Sequence, residues 1–354
     1  MSPYPVRSPP GAELIGSVGG GGYGALVTTA EAVEAELRDA LAAALAGDSD
    51  AFGALVSPHR RGVHLHCYRM LGSYDDADEA LQEALLHAWR GLPTYAARAP
   101  LRHWLYRIAT TTCLKLIERR RRTPVSVGEI SYLQPYPDRL LDQLTDPGAD
   151  PAAVVDQRES VALAFVVALQ RLPATQRAVL ILRDVLAWTG AEVADLLQTS
   201  VPAVNSSLQR AREAMKASAK PTTVEPLSRR ERLVLDRFVR AWRDCDIDAL
   251  ADLLREDAIL SMPPESVAIV GRDRVADFFA TVPADGRLDL IRLVPTRANG
   301  QPTLAAYLPD ASGECRGYGL MVFAVADDAL AEIVGFPDPA LFDHFGLPLT
   351  PPER

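Results

Sequence analysis

The stretch from Ser73 to Arg122 constrains the fold of this chain most, because it predicts two consecutive helices of different chemistry. The first, Tyr74 to Gly91, opens with several carboxylates, and the positive end of a helix dipole favours negative charge. Its apolar residues recur at helical spacing, as Leu81, Leu85, Ala88 and Trp89. We expect that face to lie in a core and the opposite face to be a polar docking surface that includes Asp78, Gln82 and Glu83.

The second helix, Pro100 to Arg122, combines an apolar stripe with a strongly basic end. The stripe consists of Leu101, Trp104, Leu105, Ile108, Leu114 and Ile117. At about 1.5 Å per residue the helix is about 30 Å long, which is enough to lie across a stretch of DNA. Taken alone, the two helices also fit an ordinary bundle whose arginine-rich end is solvated.

The order and spacing of residues in these helices narrow the interpretation. The segments Asp76–Ala84, Ala88–Arg90 and Leu101–Ala109 closely resemble region 2 of the extracytoplasmic-function (ECF) sigma factors of the sigma-70 family. The resemblance implies binding to core RNA polymerase, with Asp78, Gln82 and Glu83 docking on the clamp helices of its β′ subunit. We expect no metal and no other cofactor.

The resemblance also implies recognition of the promoter −10 element. In the family the loop between the two helices takes up an unstacked base; extracting it costs roughly a few kcal/mol, which a pocket and aromatic stacking must offset. The candidates for base and strand contacts are Tyr95, Arg98, Arg102, His103, Trp104 and Arg107, and those for phosphate contacts are Lys115, Arg119, Arg120 and Arg122. Because Trp104 lies on the apolar stripe, a purely structural role is an equal alternative for it.

A second helical module is predicted over residues 158–220. Its last two helices, Thr189 to Leu197 and Val201 to Met215, are separated by a tight turn and form a helix-turn-helix, whose second helix enters the major groove. The face of that helix expected to be buried consists of Val201, Val204, Leu208, Ala211 and Met215. Its outer face offers Asn and Gln, which read adenine edges, and Arg, which reads guanine or phosphate. That face consists of Ala203, Asn205, Ser206, Gln209, Arg210 and Arg212.

The run Val201–Arg212 is similar to sigma region 4, which reads the promoter −35 element and docks near the flap of the polymerase β subunit. Gln198 stands in the turn where Gly is usual. A helix-turn-helix alone would also fit a repressor, but its pairing with the upstream module narrows the class to sigma factors.

Residues 227–347 change character, with helices first and a series of strands afterwards, which predicts a small α+β domain. A helix is expected at 271–282 and strands at 258–262, 288–296, 303–308, 316–325 and 329–335. The runs Met262–Glu265, Gly271–Asp273 and Gly300–Pro302 resemble the SnoaL-like, NTF2-type cone that is fused to one subgroup of these sigma factors. The expected architecture is therefore a multidomain chain of two all-α modules followed by an α+β cone.

The residues of this C-terminal domain do not decide between three possible roles. A built-in regulator that packs on region 2 or on the linker is favoured. The fold offers a conical apolar pocket, so sensing of a small-molecule ligand is an alternative. A fused catalyst is another, with Asp257, Glu265, Asp273, Tyr307 and Tyr318 as acid–base candidates. Since lone carboxylates on a domain are usually surface residues, we predict that the chain is not an enzyme.

The remaining segments are expected to lack a core of their own. Residues 1–33 are rich in Gly and Pro and are predicted to be a disordered tail, and residues 34–123 form the first module. Residues 124–157 are an acidic linker in which proline recurs. The linker is either a solvated tether or, as the resemblance implies, a segment that threads the polymerase channel later used by RNA.

Charge and residue usage restrict the partners. The formal net charge of −9 argues against a general nucleic-acid binder, because non-specific affinity comes from phosphate neutralisation. Promoter DNA must then be bound through local patches, with help from polymerase. The four dispersed cysteines indicate neither a disulfide framework nor a zinc site, and His59, His64 and His66 lack the spacing of a metal site. No apolar run is long enough to cross a bilayer, so we expect a cytoplasmic protein without membrane contact.

Overall fold

A computed structural model describes residues 36, 38–95, 100–122, 133–144, 160–218, 229–263 and 268–352. The chain divides into two compact units, Met1–Pro58 and His59–Arg354. In the first unit, helical residues 38–45 (α1) precede the start of the next helix, where the Asp48 carboxylate accepts hydrogen bonds from the N–H groups of Asp50 and Ala51 at 2.8 and 3.1 Å. The tail predicted over residues 1–33 lies outside the described residues.

The first module contains helices α2 (Ser49–Leu71), α3 (Tyr74–Gly91) and α4 (Leu101–Arg122). Helix α2 continues through Pro58, where the residue pattern predicts a kink or break. Helix α3 begins where Ser73 Oγ accepts a hydrogen bond from the N–H of Asp76 at 3.3 Å. Of its predicted core face, Leu81 and Ala88 are buried, whereas Leu85 and Trp89 are half-buried. The other buried apolar residues are Ala77, Ala80 and Ala84.

The buried stripe of α4 differs from the predicted one. Of the six residues expected to line the core, only Leu105 is fully buried, and the other five are half-buried. The buried residues are instead Leu105, Tyr106, Ala109, Thr110, Thr112, Cys113 and Leu116. Small side chains at the centre of this set let α4 approach its neighbours closely, and the bulkier side chains fall on the flanks.

The second module contains helices α6 (Leu163–Arg171), α7 (Ala174–Leu180), α8 (Gly190–Leu196) and α9 (Val201–Ser218). Helix α7 passes directly into a π-helical turn, Ile181–Val185. Between the modules, residues 133–144 include a short helix α5 (Asp138–Leu141), and Leu133, Tyr136 and Asp138 are buried. This central part of the acidic linker is packed against other segments rather than solvated.

The C-terminal domain combines helices with a single six-stranded sheet. The helices are α10 (Arg229–Arg243), α11 (Ile247–Asp252), α12 (Arg272–Thr281) and α13 (Leu341–Phe345). The strands are β1 (Leu254–Ser261), β2 (Ala268–Val270), β3 (Arg292–Ala298), β4 (Gln301–Pro309), β5 (Cys315–Ala326) and β6 (Ala329–Phe336). Strand β2 was not predicted, and the strand expected from 288 starts only at Arg292.

The sheet order is β2-β1-β6-β5-β4-β3, with β1 and β6 parallel and the other neighbours antiparallel. Irregular register within β5 and at the middle of β4 bends the sheet. The core between sheet and helices contains Phe238, Trp242, Phe279 and Phe323, whose rings meet at centroid distances of 5.1 to 6.1 Å. The predicted fold class, helical modules followed by an α+β cone, is confirmed.

Candidate DNA and polymerase interfaces

Helix α9 presents its polar face to solvent in the way that a recognition helix requires. Val204, Leu208 and Ala211 are buried, whereas Val201, expected in the core, is 40% exposed. Ser200 Oγ accepts a hydrogen bond from the N–H of Ala203 at 3.3 Å and so caps the helix. All six residues predicted to contact the −35 element are exposed: Ala203, Asn205, Ser206, Gln209, Arg210 and Arg212.

Three of these exposed side chains already have intramolecular partners. Arg212 donates two hydrogen bonds to the Asp184 carboxylate, at 2.7 and 2.9 Å, which raises the pKa of the guanidinium. Gln209 donates to Glu213 at 3.1 Å and Arg210 to Ser207 at 3.4 Å. These contacts are exposed and weak, so a DNA duplex can replace them.

The helix-turn-helix itself is held by a capping box and a tight turn. Thr189 accepts from the N–H of Glu192, and the Glu192 carboxylate accepts from the N–H of Thr189 at 2.7 Å. In the turn, Gln198 takes a left-handed backbone conformation with φ +50°. Glycine adopts this conformation without steric cost, which explains the family preference noted above.

An aromatic pair marks the start of the surface predicted to bind the −10 element. The rings of Tyr95 and Trp104 lie 4.9 Å apart, and burial raises the pKa of Tyr95. On the same helix as Trp104, the Arg102 guanidinium lies 5.5 Å from the centre of the Tyr106 ring. Arg98 lies outside the described residues, as does the side chain of Arg122. The half-buried Trp104 ring is consistent with either role considered for it.

Two other residues predicted to contact the −10 element are bonded to the second module. Arg107 donates to the Asp195 carboxylate at 2.6 Å and to the Asp195 backbone carbonyl at 3.0 Å. His103 stacks on Trp188 with ring centroids 4.6 Å apart, and its Nδ1 lies 3.5 Å from the Glu192 carboxylate. Residue spacing gave no sign of these contacts between α4 and α8, which we call the α4–α8 latch.

The basic end of α4 faces the acidic side of α3. Arg120 forms a bidentate ion pair with Asp76, whose side chain is nearly buried. The Arg119 guanidinium lies 3.4 Å from the Glu83 carboxylate. Lys115 is exposed. Among the residues predicted to dock on polymerase, Asp78 and Glu83 are half-buried, and the exposed Gln82 donates to Asp78 at 2.7 Å.

A hairpin turn of the C-terminal domain reaches both helical modules. The turn Ala298–Gln301 joins β3 to β4, and its central residues Asn299 and Gly300 both have positive φ, as Asn-Gly hairpin turns require. The Asn299 side chain is fully buried. It accepts a hydrogen bond from the N–H of Tyr136 at 2.7 Å and donates to Tyr68 Oη at 2.9 Å and to the carbonyl of Val161 at 2.6 Å.

Neighbouring groups extend this three-way junction, which we call the Asn299 junction. The Asp138 carboxylate accepts from the N–H of Gly300 at 2.7 Å and from Arg297 at 2.8 Å. Gln301 Oε1 accepts from the N–H of Leu163 at 2.8 Å, where helix α6 begins. The junction therefore bonds the C-terminal domain to α2, to the linker and to the second module at once. An Asn-Gly pair predicts a hairpin, but nothing local in the sequence predicts what the hairpin contacts.

Helix α13 adds a further contact on the predicted polymerase-binding helix. The His344 ring stacks on Tyr74 at a centroid distance of 4.4 Å, and its Nε2 lies 3.2 Å from the Asp75 carboxylate. Arg139 of the linker donates to the carbonyl of His344 at 2.6 and 3.1 Å. The first turn of α3 is thus partly covered by the C-terminal domain.

The histidines of α2 pack in the interior of the first module. His64 Nδ1 lies 2.9 Å from Tyr136 Oη, and His66 Nε2 lies 2.8 Å from Thr110 Oγ1. Burial lowers the pKa of His64 to about 4 and that of His66 to about 3, so both are neutral near pH 7. Within the described residues, no cluster of His, Cys, Asp or Glu is arranged to hold a metal ion.

Comparison with known proteins agrees with this layout. Residues 55–123 match the family description "Sigma-70 region 2", residues 162–215 match "Sigma-70, region 4", and residues 235–333 match "SnoaL-like domain". The ECF RNA polymerase sigma factor SigG of Mycobacterium tuberculosis strain H37Rv is 42% identical over 318 residues, which cover 84% of each chain. SigM of the same strain is 34% identical over 182 residues, 51% of this chain and 82% of SigM.

The crystal structure of the Mycobacterium tuberculosis ECF sigma factor SigJ has the same overall fold. It aligns with a TM-score of 0.56 at 24% identity, over 82% of this chain and 97% of that one. Modules of this kind define a sigma factor of the sigma-70 class. The chain belongs to the ECF RNA polymerase sigma factors and carries a C-terminal SnoaL-like domain. The predicted function, promoter recognition together with core RNA polymerase, is confirmed. None of the helices in the described ranges has the length and apolar character needed to cross a membrane.

Proposed function

We propose that this sigma factor is held closed by its own contacts until polymerase binds. The observation that carries the proposal is the α4–α8 latch, in which His103 and Arg107 are bonded to the second module. While the latch is closed, His103 and Arg107 face the second module rather than promoter DNA. Binding at the −10 element therefore requires separation of α4 from α8.

In the open state the predicted side chains take up their separate roles. Asn205, Gln209 and Arg210 of α9 read the −35 element in the major groove, with the other exposed residues of that face beside them. The Tyr95–Trp104 pair stacks on a base of the −10 element, Arg102 and the released Arg107 contact the strand, and Lys115 and Arg119 contact phosphates.

Polymerase docking uses the acidic side of α3 and the second module. Asp78, Gln82 and Glu83 bind the clamp helices of β′, and the second module binds near the β flap. Two neighbouring side chains, Arg119 at Glu83 and the imidazole of His344 at Asp75, border this surface in the closed state. Docking therefore competes with contacts of the C-terminal domain, which gives that domain a regulatory role.

The C-terminal domain regulates and does not catalyse. The apolar cavity of the cone is lined, among the described residues, by no carboxylate, imidazole or amine, and the acid–base candidate in its wall is the phenol of Tyr318, a residue that is 47% exposed. The acid–base candidate Glu265 lies outside the described residues, and Asp257 is paired with Arg255 at 2.9 Å. We accordingly propose a regulator of transcription that acts with polymerase in the cytoplasm.

Gel-shift and run-off transcription assays test the assignment of DNA-reading residues. Because the chain is acidic, we expect it to bind promoter DNA weakly and without selectivity when alone, and selectively when core polymerase is present. With core, Asn205→Ala should lower run-off transcription about tenfold, since a good base contact is worth about 1–3 kcal/mol. The control Ala214→Ser, a small change at an exposed position of the same helix outside the predicted reading face, should transcribe normally. Tight specific binding of the chain alone would favour a repressor instead.

A further inference from the structure

Helix α10 of the C-terminal domain carries a dense cluster of positive charge. Its fifteen residues include six arginines and two carboxylates. All six arginines are exposed: Arg229, Arg230, Arg232, Arg237, Arg240 and Arg243. The rest of the domain, residues 244–347, has seven arginines, no lysine and eighteen carboxylates. These six side chains, which we call the α10 arginine face, are therefore a basic patch on an acidic domain.

Contacts within the chain occupy only part of the α10 arginine face. Arg230 Nε lies 3.8 Å from the Asp328 carboxylate, and Arg243 donates to the neighbouring Asp244 at 3.1 Å. Both pairs are exposed to solvent, so each contributes little free energy and is easily replaced. The other four arginines form no ion pair with a carboxylate of the described residues: Arg229, Arg232, Arg237 and Arg240.

The opposite face of α10 is already used by the fold. Val234, Phe238 and Trp242 are buried in the core of the domain. The helix therefore has no free apolar face for a lipid bilayer or an apolar groove, and it offers a partner mainly charge. From Arg229 to Arg243 the rise is about 21 Å, a length over which duplex DNA presents about twelve phosphate charges.

The position of α10 in the chain brings it close to promoter DNA. The recognition helix α9 ends at Ser218, and α10 begins at Arg229. The connection, residues 219–228, spans at most about 40 Å even when it is fully extended. At about 3.4 Å per base pair this corresponds to about twelve base pairs. The arginines are thus tethered within reach of DNA that α9 holds in its major groove.

We propose that the α10 arginine face binds backbone phosphates of the promoter duplex within about twelve base pairs of the −35 element. Phosphate contacts fix position and add affinity but carry no sequence preference. The SnoaL-like domain then holds promoter DNA in addition to its contacts within the closed chain. This inference requires that the second module binds the promoter, and it is independent of which side chains of α9 read the bases.

The salt dependence of promoter binding by the complex of this chain with core polymerase tests the proposal. The triple variant Arg229→Gln, Arg232→Gln and Arg237→Gln removes three charges, and Gln keeps a high helix propensity. Each phosphate contact contributes about 0.9 to the slope of log affinity against log salt concentration. The slope of the variant should be shallower by about 2.7. Between 50 and 200 mM salt, native holoenzyme should then lose about 40-fold more affinity than the variant.

Single exchanges supply a matched control. Arg237→Gln should lower the slope by about 0.9, whereas Arg274→Gln, at an exposed position of α12 outside the face, should leave it unchanged. Hydroxyl-radical footprinting should show protected sugars beside the −35 element with native holoenzyme and not with the triple variant.

An unchanged slope or an unchanged footprint in the triple variant would overturn the proposal. Weaker association of the variant with core polymerase, together with a native slope, would also overturn it and would identify a protein partner instead. The uncharged exchange Asn205→Ala should lower affinity equally at every salt concentration, because it removes a base contact and no charge. The assignment of the base-reading residues therefore succeeds or fails separately from this proposal.

Discussion

Exchange of the buried Asn299 for Asp is the sharpest test of the closed state. The substitution preserves shape and the acceptor for the Tyr136 N–H, but it replaces the donor that serves Tyr68 and Val161 with an oxygen. A buried group that loses its partner costs about 1–3 kcal/mol, and an unpaired buried carboxylate costs several kcal/mol. We therefore expect the closed state to lose roughly 4 kcal/mol relative to an open one, in which the turn is solvated.

A change of about 4 kcal/mol shifts the ratio of closed to open chains by close to a thousandfold, since about 1.4 kcal/mol corresponds to a factor of ten. Amide hydrogen exchange measures this ratio of closed to open chains directly. In the Asn299→Asp chain, the N–H of Tyr136 and the amides of Asp138–Leu141 should exchange much faster, while those of strands β5 and β6 keep their protection. Run-off transcription with limiting chain should rise.

The control for this experiment is Asp327→Asn, the reverse exchange at a second left-handed turn position of the same domain. Asp327 has φ +53° and an 89% exposed side chain, so the change should alter neither exchange nor transcription. If the Asn299→Asp chain kept the native exchange rates over residues 133–144, the junction would not hold the modules together, and the reasoning above would be wrong.

Further predictions concern the latch, the turn and the buried histidines. Asp195→Ala removes the exposed partner of Arg107 and should increase chymotryptic cleavage between the modules by at most about fivefold, because exposed ion pairs contribute roughly 1 kcal/mol or less. An effect as large as that of Asn299→Asp would contradict the inference that the latch is weaker than the Asn299 junction. Gln198→Gly should raise the free energy of unfolding by about 0.5–1 kcal/mol in urea titrations. The left-handed conformation costs a residue with a Cβ atom about 1–2 kcal/mol, and removing this cost outweighs the loss of one exposed hydrogen bond to the Asp195 carbonyl. A lower free energy of unfolding would refute the strain argument. The folded-state pKa values of His64 and His66 lie below 6.5, so their contribution to stability is complete above pH 6.5 and is lost as pH falls towards 4, by up to about 1.4 kcal/mol per pH unit for each histidine. Urea titrations at pH 7, 5.5 and 4.5 measure this slope. A free energy of unfolding that did not change with pH would mean that the folded state accepts the protons.

Helix positions were predictable because amphipathic spacing is local information. The recognition helix shows this, since Val204, Leu208 and Ala211 are buried as their spacing requires. The predictions of burial were wrong where packing against a neighbouring element, and not the position on the helix itself, determines which side chains are buried. Val201 lies on the predicted core face but at the first turn of α9, where no neighbouring element covers it fully. In α4 the small residues around Cys113 are buried because other helices approach there, and apolar spacing alone does not encode that approach.

The DNA-reading and docking residues follow from the family resemblance and stay predictions, whereas their partners within the chain could not be predicted from the sequence. The Asn299 junction joins residues more than 130 positions apart in sequence, such as Asn299 and Val161, and no periodicity carries information over that distance. The latch is similar: the family resemblance assigns Arg107 and His103 to the −10 element. The same positive charge and flat imidazole ring also suit the acidic side chains of α8 and the Trp188 ring that precedes it.

The two sets of contacts differ enough in strength to fix an order of opening. In the α4–α8 latch, Arg107 and Asp195 are 42% and 68% exposed, so the pair is screened by solvent and salt and contributes at most about 1 kcal/mol. The Asn299 junction is buried, and its loss leaves several polar groups unpaired at about 1–3 kcal/mol each. Region 4 should therefore separate from α4 first, under forces as small as those of initial docking on polymerase. Release of the linker from the C-terminal domain requires the larger free energy of full engagement, so we expect it to follow the first contact with polymerase.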